Sequence, residues 1–296
     1  MRKLFKWLGI VFGSLVALIL LVLLGFYISA NIRLNKTYSV QAEAITIPTD
    51  PESIERGRQW VTSGVCMYCH GSDLAGTAFL DDPMLGVIPA PNLTSGTGGT
   101  GREFTDEDWV RAIRYGIRPG GKSLIIMPSS HFYYFSDGSL GDIIAYLKSL
   151  PPVDRAWPEP EFTVLGKILV GAGVMGDTIE AEKIDRGAIR PSAPLQGLTP
   201  AYGDYLTTVS GCRMCHGEDL RGDLNPPNPA APPVPGLVAG SEVAFWSETD
   251  FIKTIRTGVA PSGHLLTEFM PWKEFKNMSD DQLKAIWLYL DSLSVE

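Results

Sequence analysis

Cysteine is scarce in this 296-residue chain: there are four, all within Cys66-Met67-Tyr68-Cys69-His70 and Cys212-Arg213-Met214-Cys215-His216. That excludes a disulfide framework and a separate reactive thiol, because no cysteine is left over for either. Charge is absent altogether between Trp7 and Ile32, a run longer than the roughly 20 apolar residues a membrane helix needs. Basic residues are outnumbered, 25 Lys and Arg against 33 Asp and Glu, for a net charge of −8. Without Arg2, Lys3 and Lys6 the rest of the chain carries −11, a balance that disfavours nucleic acid and suits basic partners. Strand-like alternation is also missing beside the helical segments, so a redox dithiol on a β-α-β unit is excluded.

The uncharged run has a plain consequence. A cleaved signal peptide has a core of only about 7–15 apolar residues, so residues 1–35 read as one retained anchor helix. Arg2, Lys3 and Lys6 precede the span, and only Arg33 and Lys36 lie close behind it. That bias puts the N-terminus in the cytoplasm and everything after about Asn31 on the periplasmic side.

Beyond the anchor the chain repeats itself. Gly57 to Gly203 and Cys66 to Cys212 are both offsets of 146, Arg114 to Arg256 is 142, and Met127 to Met270 and Tyr146 to Tyr289 are both 143. Asp108-Trp-Val-Arg-Ala-Ile-Arg-Tyr-Gly116 matches Asp250-Phe-Ile-Lys-Thr-Ile-Arg-Thr-Gly258, and residues 136–150 match 279–293. Such self-similarity signals tandem copies of one module. We place them at 50–152 and 196–296, joined by a Pro/Gly-rich linker over 153–195 that holds Pro158, Pro160, Pro191 and Pro194. The linker's apolar middle, residues 162–176, is too short and glycine-rich to span a bilayer; it is expected to pack on a module, with contact to the membrane surface as the alternative.

Inside each copy the apolar spacing is helical: Trp109, Val110 and Ile113, then Leu140, Ile143, Ile144, Leu147 and Leu150. Thr105 with Asp108, Ser247 with Asp250, and Ser279 with Gln282 mark helix starts. The expected fold is all-α: two small helical modules with long loops, plus the anchor.

In Cys-x-x-Cys-His the two thiols can form thioethers with the vinyl groups of a haem, while the next histidine supplies an axial imidazole to its iron. Zinc ribbons separate their Cys pairs by roughly 15–20 residues, whereas Cys69 and Cys212 stand 143 positions apart. Two covalently bound haem c groups are therefore expected, with Cys66, Cys69, Cys212 and Cys215 as attachment points and His70 and His216 as ligands. A ligand needed in both copies belongs at a repeated position. Met127-Pro128 and Met270-Pro271 are equivalent, while His131 aligns with Glu274 and His264 falls near Gly121 or Lys122. Met127 and Met270 are thus the expected sixth ligands, and a thioether ligand raises the haem potential.

With these motifs the chain resembles the class I cytochrome c fold, and more closely the tandem modules in cytochrome c subunits of membrane-bound alcohol, aldehyde and sugar-acid dehydrogenases. The resemblance covers about 50–152 and 196–295. It implies that Gly57 and Gly203 let Tyr146 and Tyr289 of the C-terminal helices come close. It also implies that a proline carbonyl accepts a hydrogen bond from each ligand histidine, a contact that orients the ring. Pro91 in Pro91-Asn92-Leu93 is similar to that proline. In Pro235-Gly236-Leu237 the Asn is lost, and Pro232 or Pro233 are alternatives to Pro235. Such dehydrogenase subunits usually carry three haem motifs; this chain has two.

Other features have plainer readings. Gly96-Thr-Gly-Gly-Thr-Gly101 lacks the Lys-Ser/Thr ending of a phosphate loop, which leaves a flexible haem-edge or surface loop. Arg114 and Arg256 either pair with propionates or sit on solvated helix faces. Two six-coordinate haems leave no open site, so the expected function is electron transfer by a membrane-anchored dihaem carrier of a respiratory or photosynthetic chain, not substrate chemistry. Its partners would be a quinol-oxidising complex or dehydrogenase as donor and an oxidase, reaction centre or other cytochrome as acceptor. A dihaem peroxidase needs one haem that can open, and a cytochrome subunit fixed in a dehydrogenase or supercomplex is the other alternative.

Overall fold

A computed structural model describes residues 2–176, 178–190, 192, 194–224 and 233–293. Pro191 of the linker and Pro232 lie outside the described residues. The first element is helix α1 (Arg2–Asn35), exposed along most of its length, with only Ala30 buried. Among the described residues it is the one helix long and apolar enough to cross a membrane.

The first module follows as α2 (Pro51–Ser63), the short α3 (Cys66–His70), strands β1 (Thr77–Asp82) and β2 (Gly86–Ala90), then α4 (Asp106–Tyr115), α5 (Ser129–Phe132) and α6 (Asp137–Ser149). Strand β3 (Glu161–Phe162), α7 (Val164–Gly171) and α8 (Glu180–Lys183) lie between the modules. The second module repeats the helices as α9 (Pro200–Val209), α10 (Cys212–His216), α11 (Glu248–Thr257), α12 (Trp272–Phe275) and α13 (Asp280–Leu293). The expected starts are present: Thr105–Asp108 and Ser247–Asp250 form reciprocal capping boxes, and Ser279 and Gln282 exchange backbone bonds in the same way. Helices α4 and α11 both end on glycines in the left-handed region, Gly116 and Gly258.

Each module is held by a crossing of its first and last helices. A Cβ added at Gly57 would run into the carbonyl of Asp142 and lie 2.8 Å from Tyr146 Cβ; at Gly203 it would meet Ala285 and lie 2.7 Å from Tyr289 Cβ. The missing side chain is what lets the helix backbones touch, and the same glycine–tyrosine pair comes together in both copies.

The sequence reading of helices alone needs one addition, a small antiparallel sheet in the order β1-β2-β3. Its strands are short, β2 contains Pro89, and β1 is largely exposed, so little alternation marks them. The apolar linker segment forms α7, which packs on the sheet and also on α1: Ala30, Ile88, Phe162 and Val170 share one buried cluster. The glycine run is not a free loop. Gly96 and Gly98 lie so close to the linker backbone at Val153 and Ala156 that a side chain would collide with it, and Arg155 N donates to Thr97 O at 3.1 Å.

The modules share a core. Trp60 packs edge-on against Phe135, Tyr202 and Tyr205, with the last ring centroid 5.7 Å away. Ser136 N donates to the Tyr205 hydroxyl at 3.0 Å, and Gln282 Nε2 donates to Ser63 Oγ at 3.0 Å. Buried groups on both sides of this contact thus satisfy one another.

Candidate functional site

The two Cys-x-x-Cys-His helices are built alike, and each begins at a left-handed residue. Val65 has φ 58° and its repeat partner Gly211 has φ 75°. After the histidine the chain folds back through Gly71, Leu74 and Gly76 in one copy and Gly217, Leu220 and Gly222 in the other, all with positive φ. Gly76 N donates to His70 O, and Gly222 N to His216 O, both at 2.8 Å. Leu74 and Leu220 are buried to 1% and 0% exposure in that unusual conformation. The 146-residue offset continues through these positions, a signal the sequence offered and pattern reading passed over.

This fold-back aims the histidine. His70 Nδ1 lies 2.9 Å from Pro91 O, and His216 Nδ1 lies 2.8 Å from Pro235 O. A carbonyl only accepts, so each Nδ1 carries the hydrogen and each Nε2 keeps its lone pair. Burial pushes both imidazoles below their ordinary pKa, against the opposing pull of the proline carbonyl, and keeps them neutral. Among the described residues, Pro235 is the proline whose carbonyl meets His216. In the first copy Asn92 adds a brace, donating from Nδ2 to Val153 O at 2.7 Å; Gly236 stands in that place in the second.

All four cysteines are unbridged. Burial pushes the Cys66 and Cys212 thiols up to about 12 and Cys69 up to about 11, so they are held as neutral thiols. Among the described residues, no three His, Cys, Asp or Glu side chains converge as a metal site.

Met127 and Met270 sit in matching turns. Ser129 N donates to Met127 O and Trp272 N to Met270 O, each at 2.8 Å, and Pro128 and Pro271 open α5 and α12 with the same backbone angles. Cys66, Cys69, His70 and Met127 line one large cavity, and Cys212, Cys215, His216 and Met270 line the same cavity from the other module. Its volume is about 1450 Å³, above the roughly 300–1,000 Å³ of a single small-molecule site. His131 and His264 also reach its wall; His131 is pushed down to about 4 by burial and then by Lys183.

Haem fits this space on two grounds. The walls are mostly apolar, and three buried polar atoms on lining residues, Trp109 Nε1, Ser210 Oγ and Thr254 Oγ1, have no partner within the protein. Buried donors of that kind call for an acceptor brought by a ligand. Arg118, paired with Glu159 at 2.5 Å, and Lys122, which donates to Asn35 Oδ1 at 2.9 Å, stand at the rim of the first cradle. The arginines proposed for propionates lie elsewhere: neither Arg114 nor Arg256 lines the cavity. Arg114 is fully buried, donates to Phe135 O at 2.9 Å and pairs with Asp137 at 2.8 Å; Arg256 pairs with Asp280 at 2.6 Å. Both tie the α4 or α11 helix to the start of the last helix of their module.

The methionine turns differ in what covers them. In the first module the linker lies along the approach to Met127: Ile126 N donates to Thr178 O at 2.9 Å, and Ala181 N to Ser123 Oγ at 3.0 Å. Glu180, with no exposed surface, accepts from Ser130 N at 3.4 Å, from Ser130 Oγ at 3.3 Å and from Lys183 at 2.7 Å. Before Met270, Leu265 is 68% and Phe269 71% exposed, and no such strap covers them among the described residues.

The family profile described as Cytochrome c matches this chain twice, at residues 54–151 and 201–294. The cytochrome c subunit of the quinone-linked alcohol dehydrogenase of Komagataeibacter europaeus is 27% identical over 88% of this chain and 62% of its own length. The fructose dehydrogenase cytochrome subunit of Gluconobacter japonicus is 26% identical over 72% of this chain and 44% of that protein. The gluconate 2-dehydrogenase cytochrome c subunit of Pantoea cypripedii is 25% identical, with coverages of 82% and 60%. The chain therefore spans about three fifths or less of the length of these curated relatives.

Proposed function

The chain belongs to the cytochrome c family, and from that premise we propose that it is a membrane-anchored dihaem cytochrome that passes electrons from a dehydrogenase to a membrane or periplasmic acceptor. The observation that carries this reading is the duplicated cradle: a Cys-x-x-Cys-His helix, a carbonyl-held histidine and a Met-Pro turn occur twice on one cavity. Dehydrogenase cytochrome subunits among the relatives support the choice of donor.

Haem c supplies reversible one-electron chemistry when bound. Cys66 and Cys69, and Cys212 and Cys215, would hold it by thioethers. His70 and His216 would offer Nε2 to iron, with Pro91 and Pro235 fixing each ring and making it more basic. Met127 and Met270 would each supply a thioether sulfur as the further ligand, leaving substrate no entry. Apolar walls of this kind would tune the potential of a bound haem. Residues 1–35 anchor the chain with the N-terminus in the cytoplasm, and modules 50–152 and 196–296 face the periplasm.

Reduced-minus-oxidised spectra of the purified protein, with a pyridine haemochrome assay, test the reading. Two haems per chain, both low-spin and slow to take carbon monoxide, are expected. One haem per chain, or rapid carbon monoxide or peroxide binding at either, overturns it in favour of a peroxidase-type site.

A further inference from the structure

Helix α7 presents apolar surface that the protein does not cover. Between Thr163 and Gly176 Lys167 is the sole charged residue. Val164 is 64% and Val174 54% exposed, and Leu165 39%. Hydrophobic side chains scattered singly over a surface need no explanation; these stand together on one short helix and the turn after it.

The position of that helix identifies what covers it. Burial along α1 begins at Phe26, whereas Leu4 to Leu24 are exposed. The uncovered, uncharged stretch Trp7–Gly25 is 19 residues, about 28 Å of helix, and the hydrocarbon core of a bilayer is about 30 Å thick. Phe26 therefore marks the outer edge of the hydrocarbon. Gly171 of α7 packs on the Phe26 backbone so closely that a Cβ would collide with its carbonyl. Lys167 Nζ stands 5.7 Å from the Tyr27 ring, the arrangement of a lysine that keeps its charge at the headgroup level beside an interfacial tyrosine. The helix is also fixed at that depth. Val170 shares a buried cluster with Ala30, Ile88 and Phe162, and further along the linker Glu182 of α8 pairs with Arg33 of α1 at 2.8 Å.

We infer that α7 and the turn through Val174 lie in the outer face of the lipid bilayer beside α1, so that the first module meets the membrane as a rigid body through two elements. The inference rests on the anchor reading of α1. An interfacial helix of this kind buries its apolar side at the boundary of headgroups and acyl chains. With α1 as the sole membrane contact, the module and α1 would tilt together in the bilayer. With α7 seated, the sheet and the first haem cradle hold one orientation to the membrane plane.

Thiol accessibility tests this on the full-length protein in nanodiscs holding one copy each. With the four native cysteines in thioethers, as the proposed function has them, an introduced cysteine is the sole free thiol, and the protein without it sets the background rate. In Val164→Cys and Val174→Cys, reaction with a charged maleimide should be at least roughly tenfold slower than in Gly138→Cys, a site with open space around it, because the thiolate does not form in an apolar medium. Denaturation in sodium dodecyl sulfate should bring all three to the same rate. Leu20→Cys reads the anchor separately. Reaction at 164 and 174 as fast as at 138, with Leu20→Cys protected, overturns this inference alone; fast reaction at Leu20→Cys overturns the anchor and the inference with it.

Discussion

At the scale of the residue, the two copies set a natural comparison at the turn before each Cys-x-x-Cys-His helix. A left-handed conformation costs a non-glycine residue roughly 1–2 kcal/mol, yet Val65 adopts it where the second copy has Gly211. The surroundings of Gly211 are open, with nothing nearer to an added Cβ than Met214 Cε at 4.0 Å. Gly211→Val should therefore fold and lose about 1–2 kcal/mol in denaturant titration, from backbone strain alone. The ligand proposal is also a residue-scale matter. Met127→Ala and Met270→Ala should each abolish half of the weak near-infrared methionine-to-iron band and lower one of two midpoint potentials. A full band in either variant removes that methionine from the ligand set. These positions were legible because the chemistry repeats; Leu74 and Leu220 were not, because a leucine carries no mark of the backbone angle it will adopt.

At the scale of the element, the first and last helices of each module cross with almost no gap. Gly57→Ala and Gly203→Ala push a methyl group into a backbone carbonyl, and overpacking of this kind costs about 1–3 kcal/mol. Thermal unfolding of the holoprotein should show the loss in both. The strap over the Met127 turn adds an asymmetry that no repeat alignment contains, because it comes from the linker. Burial raises the Glu180 pKa above its ordinary value of 4.5, with Lys183 opposing. A carboxyl raised on folding contributes stability that is fully present below its unfolded pKa and is lost as the pH rises through its folded pKa. The stability of Glu180→Gln relative to the parent chain should therefore rise as the pH is taken from 4 upward. An identical slope in the two proteins would remove Glu180 from that balance.

At the scale of the whole molecule, the modules are one cooperative body where Trp60, Tyr202 and Tyr205 interlock and the Tyr205 hydroxyl satisfies Ser136 and Ser139. Removing a large buried aromatic costs about 3–5 kcal/mol. In Tyr205→Ala, calorimetry should resolve two transitions where the parent shows one. A single shifted transition would mean that the remaining contacts suffice to couple the modules.

Much was legible in the chain on its own. Attachment chemistry needs residue types at fixed short spacing, and the repeat turns one copy into a check on the other; the Cys-x-x-Cys-His motifs, the Met-Pro pairs, the capping boxes and the apolar span were therefore readable directly. Pro91 needed the resemblance, and Pro235 lacked the neighbouring Asn that would have marked it. Tertiary structure alone decided where the buried Arg114 points, that the glycine run grips the linker, that α7 sits on α1, and that both cradles open on one cavity. Each depends on contacts between segments far apart in sequence, and local pattern carries no record of which distant backbone will arrive.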